Sequence, residues 1–302
     1  MQQSDNFRGA LYMSIAMAAF TVNDSCMKLV TAELPLYQAI VLRGLLTTLA
    51  LLVIGWRMGT IRLRLPAPDL RRIAWRTLGE VTGTVTFLSA LKHMPLANLS
   101  AILQALPLAV TLAAAMILRE PVGWRRMLAI IIGFVGVLII VRPGTAGFDV
   151  WSLVGLASVG CVVLRDLATR GLSRDVPSVT VAIYAAVSVA LTGLVLVPFS
   201  GWEAVSPRIA ALIVAAAGFL IMGYLAVVMA MRVGEISLVA PFRYTALIFA
   251  IVLGWAVFGQ LPDGWTLIGA AIVIATGIYT FYRERRLGRQ VAAPAAQTLR
   301  VR

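Results

Sequence analysis

Apolar runs of about 18 to 24 residues recur ten times between Gly9 and Tyr282, each long enough to cross a hydrocarbon core of about 30 Å as a helix. They fall at about 9–30, 35–55, 73–94, 95–118, 124–142, 150–170, 177–198, 208–231, 236–258 and 264–282. A transmembrane β-barrel would be written in alternating stretches of about ten residues, and these runs do not alternate. Of the 302 residues 60% are hydrophobic, more apolar surface than a soluble chain of this length buries. The third and fourth runs touch at LKHMPLANL, where Pro95 and the single histidine, His93, mark a turn between two helices.

The net charge of +13 would suit a nucleic-acid binder, so the placement of the 26 Lys and Arg residues decides the matter. Eighteen fall on one side of the predicted membrane, in the amino terminus, alternate loops and the tail; Lys28, Lys92, Arg142 and Arg208 fall on the other. That bias is the positive-inside pattern, predicting an inner-membrane, multi-pass protein with both termini cytoplasmic. It argues against nucleic acid and for the lipid bilayer as partner. All seven tryptophans fall at or near predicted span ends, the headgroup level that an indole favours. Cys26 and Cys161 lie in different apolar runs and are expected as free thiols.

The chain repeats itself. Asp24, Lys28 and Pro35 recur as Asp166, Arg170 and Pro177; Ala90, Leu91 and Lys92 as Ala230, Met231 and Arg232; Gly123, Trp124 and Gly136 as Gly264, Trp265 and Gly277. The connector LREPVGW at Leu118–Trp124 returns as FGQLPDGW at Phe258–Trp265, with Glu120 replaced by Gln260. Each half holds five spans, so the second enters the membrane from the opposite side. The predicted architecture is an all-α polytopic membrane protein of ten helices in two inverted repeats, residues 1–143 and 144–282. Residues 283–302 form a basic tail expected to be disordered. Inverted repeats suit alternating access, because exchanging the conformations of the halves turns the protein inside out at nearly equal energy.

The stretches ALKHMPLANLSAILQALPLAV (Ala90–Val110) and LREPVGWRRMLAIIIGFVGVLIIVRP (Leu118–Pro143) resemble the drug/metabolite transporter superfamily, and within it the ten-helix EamA-type transporters. So do their partners AMRVGEISLVAPFRYTALI (Ala230–Ile248) and FGQLPDGWTLIGAAIVIATGI (Phe258–Ile278). The overall character is similar to the YddG-type branch of aromatic amino acid exporters. The resemblance implies a secondary transporter that exports amino acids, aromatic ones favoured, or other metabolites or drugs, with no cofactor. The family often has a glutamate after both the fourth and the ninth helix; Gln260 departs from that pattern.

Ionisable groups inside the spans are the candidate machinery, since each costs at least about 2.5–3.5 kcal/mol unless it meets a partner or water. Glu80, Arg165, Asp166 and Arg243 fall towards the cytoplasmic side and are expected to form a gate. Asp24 and Arg43 fall in the opposite third as its counterpart. Arg76 is close enough to a span end to snorkel. Pro107 in the fourth span and Pro241 in the ninth each remove a helical hydrogen bond, which with the resemblance makes these two helices the expected cavity walls. For a zwitterionic substrate Gln104 and Arg243 would donate to a carboxylate. Phe87, Tyr184, Tyr224 and Tyr244 would supply aromatic walls, with Met222 as an adaptable filler.

No HExxH, GxSxG or GxxxxGK[ST] occurs, and one histidine leaves little for acid–base or metal chemistry, so an embedded enzyme is disfavoured and no metal site is expected. A gated passive channel differs from a carrier in letting both gates open together, and that alternative stays open on sequence alone.

Overall fold

The computed structural model describes residues 2–59, 61, 65–117, 119, 122–145, 148–173, 176–233 and 236–298. The connector residues Leu118, Glu120 and Pro121, and with them the Glu120 comparison, lie outside the described residues. Described secondary structure is helical throughout: α1 (Gln2–Glu33), α2 (Leu36–Arg57), α3 (Ala67–His93), α4 (Leu96–Leu103), α5 (Leu106–Ile117), α6 (Trp124–Val141), α7 (Val150–Arg170), α8 (Ser178–Ser200), α9 (Pro207–Val233), α10 (Ile236–Val239), a 3-10 turn (Ala240–Tyr244), α11 (Thr245–Phe258) and α12 (Gly264–Thr298).

Eight helical stretches among the described residues are long and apolar enough to cross a membrane: α2, α4 with α5, α6, α7, α8, α9, the 3-10 turn with α11, and α12 up to Arg283. α1 and α3, at 32 and 27 residues, have the length but are more polar, α3 alone carrying Asp69, Arg71, Arg72, Arg76, Glu80 and Lys92. α3 begins at Ala67, six residues before the apolar run that announces it, which puts Glu80 at the middle of the helix and not near one end. α12 runs from Gly264 to Thr298.

Proline sets the helix starts. Pro35, Pro66, Pro95 and Pro177 each cap the amino end of a helix with φ between −54° and −64°, the value the pyrrolidine ring fixes. Pro107 and Pro241 act similarly inside longer stretches. α4 stops in a turn at Gln104–Ala105 just before Pro107, and α10 gives way to the 3-10 turn that carries Pro241 at its start. A proline disfavours helical geometry in the residue before it, so each break sits on its amino side.

The most extensive helix contacts join one half of the chain to the other: α1 with α9, α3 with α7, α2 with α8 and α6 with α12. Exchanging the first five helical stretches for the last five leaves this pairing unchanged. Small residues make it possible. A Cβ added at Gly136 would lie 2.8 Å from the Gly269 carbonyl oxygen, so α6 and α12 meet backbone to backbone within one chain.

Side-chain ties distinguish two ends. At the amino-terminal end Asp69 on α3 accepts from the backbone N–H and hydroxyl of Ser173, beyond α7, at 3.1 and 2.8 Å. At the opposite end Arg208 pairs with Glu33 at 3.0 Å, Gln38 exchanges two hydrogen bonds with the Glu203 backbone, and Arg142 pairs with Asp263. His93 stacks on Trp151 there at 3.7 Å, and buried Lys28 donates to the Leu91 and Met94 carbonyls at 2.7 and 2.6 Å. Most of the larger buried core, including Met27, Leu88, Leu91, Leu99 and Ile209, lies towards this end. Both cysteines are free thiols.

Candidate transport site

The site starts at a helix contact. On α3, Gly79 has no side chain, and a Cβ there would lie 2.7 Å from the Cys161 carbonyl oxygen and 2.8 Å from the Arg165 nitrogen. Backbone contact at this level brings the next residue, Glu80, to 3.6 Å from the Arg165 guanidinium on α7. Arg76, one turn before Glu80, closes on the same carboxylate at 3.6 Å, and Arg165 Nε donates to Asp166 at 2.9 Å. Arg76 is thus folded inward with its side chain only 15% exposed, which corrects the expectation that it snorkels to a headgroup.

Arg43 extends the cluster. It is buried on α2 in the field of Asp24, of Tyr224 and also of Glu80. The field of Glu80 on Arg43 is weaker than those of Asp24 and Tyr224. Asp24 accepts from the neighbouring Asn23 amide at 2.8 Å, just as Asp166, its repeat mate, accepts from the neighbouring Arg165. The local geometry repeats while the donor changes from a neutral amide to a cation.

Tyr224 on α9 completes the cluster: its phenol lies in the fields of Glu80, Arg165, Arg76 and Arg43. The ring meets Phe20 of α1 edge to face, centroids 5.5 Å apart at 75°, while Phe20 fills the space that Gly223 leaves empty. Phe20 is one helical turn before Asp24 on the same face of α1, a spacing that would have found it once Asp24 was singled out.

Arg243 sits in the 3-10 turn, about 10 Å along the chain axis from the start of α10. It is exposed, lies in the field of Asp166, and makes no hydrogen bond or ion pair with a described residue. A charge inside a span needs a partner or water, and Asp166 is the anion whose field reaches this turn. Its neighbour Tyr244 turns the other way: it is buried, and its hydroxyl fills the gap at Gly277 of α12, where a Cβ would overlap it. Gln104, the repeat mate of Tyr244, is buried at the carboxyl end of α4. Both occupy breaks in their helices.

The remaining aromatic candidates are less concentrated. Phe87 packs against the large core, and Tyr184 is half-buried on α8. Met222 is exposed, but at two residues from Tyr224 it points to a different side of α9. The structure thus brings together Asp24, Arg43, Glu80, Arg165, Asp166 and Tyr224, adds Arg76 and Phe20, and leaves Arg243 at the margin.

Paired half-helices, a charged cluster between the halves and a fold of packed membrane-length helices define a membrane transporter. The chain belongs to the EamA-like transporter family, which it matches over residues 7–142 and 150–282, one stretch for each half. It is 27% identical to a riboflavin transporter of Vibrio cholerae, covering 94% of this chain and 96% of the relative. An S-adenosylmethionine uptake transporter of Rickettsia prowazekii is 22% identical over 92% of this chain and 94% of its own. A pseudopaline exporter of Pseudomonas aeruginosa is 25% identical over 89% and 94%. A solved crystal structure, 19% identical, shares the fold with a TM-score of 0.62 over 95% of this chain and 99% of that one. The chain is a transporter and not an enzyme.

Proposed function

We propose that this protein is a secondary transporter that exports a small zwitterionic metabolite, an amino acid with an aromatic side chain favoured, by alternating access. Its ten helices cross the inner membrane as two inverted repeats with both termini in the cytoplasm. The orientation rests on the eighteen cations at the amino-terminal end against four at the other. Alternating access is supported by the exchange symmetry of the helix pairing, by the paired breaks at Gln104 and Ala240–Tyr244, and by the ties that close the opposite end. Relatives include both an uptake transporter and an exporter, and their named substrates differ widely, so the substrate reading rests on the site.

The observation that carries it is Arg243, an exposed guanidinium at a helix break that makes no ion pair with a described residue. A carboxylate accepts two parallel hydrogen bonds from such a group, and Gln104 across the halves is the second donor. Asp24 and Asp166 offer acceptors to an ammonium, and the Phe20–Tyr224 pair offers a wall to a ring. Purified protein in proteoliposomes, assayed for counterflow with an aromatic amino acid and its methyl ester, tests this reading. Wild type should prefer the free carboxylate, and Arg243→Ala should raise the apparent KM for the acid while leaving that of the ester unchanged. Equal loss for both compounds would overturn Arg243 as the carboxylate site, and large unitary conductance in place of saturable counterflow would identify a channel.

A further inference from the structure

We propose that the amino-terminal end of α3 binds the headgroup of an anionic glycerophospholipid. A cleft of about 620 Å³ opens there, lined by Ala67, Pro68, Arg71, Arg72 and Trp75. Three observations fix its chemistry.

The first is charge. Arg72 leans on Asp69 at 3.5 Å, whereas Arg71 is exposed and makes no hydrogen bond or ion pair with a described residue. Arg57, at the end of α2, is exposed as well. Among the described residues around the cleft Asp69 is the one carboxylate, and it already accepts from Ser173 and Arg72. The described lining of the cleft carries two cations and no carboxylate.

The second is the order of side chains. Arg71, Trp75 and Leu78 follow at i, i+4 and i+7, so they form one stripe on α3, and all three are exposed. Along roughly 10 Å of helix the stripe passes from cation to indole to alkyl chain. A glycerophospholipid is graded in the same way, from phosphate through glycerol ester to acyl chain. A soluble phosphate compound would use only the arginine end.

The third is depth. Trp75 is exposed at the cleft, where an indole settles at the headgroup level, and Leu70 and Leu78 are exposed along the same helix. Basic pockets at the ends of membrane helices recognise anionic headgroups by this geometry.

The protein, purified in a mild detergent, is offered phosphatidylglycerol or phosphatidylcholine, and the lipid retained is counted by native mass spectrometry. Phosphatidylglycerol should be retained in preference. Arg71→Ala should weaken its retention about five-fold, the contribution of one cation near a charged surface. Trp75→Ala should weaken retention of both lipids, and Arg71→Lys should preserve the preference with folding intact. Equal retention of the two lipids by wild type, or undiminished preference in the Arg71→Ala, Trp75→Ala double variant, would overturn the proposal. So would displacement of phosphatidylglycerol by inorganic phosphate, which would mark a site for soluble anions.

Discussion

Glu80 on α3 and Arg165 on α7 face each other at 3.6 Å across the level where Gly79 lets the two helices touch. The carboxylate also holds Arg76, so neutralising it leaves two guanidiniums close together, of which only Arg165 retains an anion, Asp166. Breaking a buried pair by removing one partner costs about 3–5 kcal/mol, and partial exposure with the remaining Asp166 contact places Glu80→Gln at the lower end. Glu80→Gln should melt several degrees below wild type and transport more slowly. Adding Arg76→Gln relieves the repulsion, so the double variant should recover thermal stability without recovering counterflow. Recovery of both would make the pair a static register device and remove it from gating.

Gly79 itself is a packing requirement. A methyl group there meets backbone atoms of Cys161 and Arg165, which cannot rotate aside, and overpacking of this kind costs about 1–3 kcal/mol. Gly79→Ala should lower the melting temperature of the purified protein. Gly218→Ala, on the exposed side of α9 with nothing within 4 Å of its added Cβ, should not. Equal effects of the two substitutions would show that helix propensity, not the α3–α7 approach, governs the response.

Helices were legible because apolar runs of membrane length have few other solutions, and the breaks because Pro107 and Pro241 obstruct helical geometry wherever they stand. The membership of the charged cluster was not. Depth along each helix is readable from residue count, but which helix faces which is set by packing between distant parts of the chain. The pairings of α1 with α9 and of α3 with α7 have no local signature. Arg76 looked like a residue near a span end because the polar first turn of α3 carries no apolar signal, and Phe20 looked like one apolar residue among many. Tyr244 went the other way: beside Arg243 in sequence, it is turned to the opposite side by the gap that Gly277 provides.

Lys28 caps the carboxyl end of α3, donating to the Leu91 and Met94 carbonyls, with its ammonium 5.5 Å from the Phe258 ring centre. Carbonyls at a helix end lack intrahelical partners, and hydrogen bonds to a charged donor are worth about 1.5–3 kcal/mol each. Lys28→Met keeps the length of the side chain and removes both bonds, so stability should fall by about 2–4 kcal/mol in reversible unfolding, if the two losses overlap in part. A change within ~0.5 kcal/mol would mean that water satisfies those carbonyls equally well.

Asp69 gives the amino-terminal end a dependence on acidity. The Ser173 backbone N–H, then the Ser173 hydroxyl, and to a smaller extent Arg72 hold its carboxyl below the ordinary carboxylate value. A group whose folded pKa is depressed contributes stability that is complete above its unfolded pKa, about 3.9, and is lost as pH falls through the lower folded value. Asp69→Asn removes that contribution but keeps an acceptor of the same size. The melting temperature of wild type should therefore exceed that of Asp69→Asn from neutral pH down to about pH 4, and the two curves should converge below it. Amide exchange at Ser173, whose N–H donates to Asp69 at 3.1 Å, should accelerate in the variant over the same range. A gap between the two proteins that stays constant from pH 7 to pH 3 would show that the ionised form of Asp69 is not what ties α3 to the turn after α7.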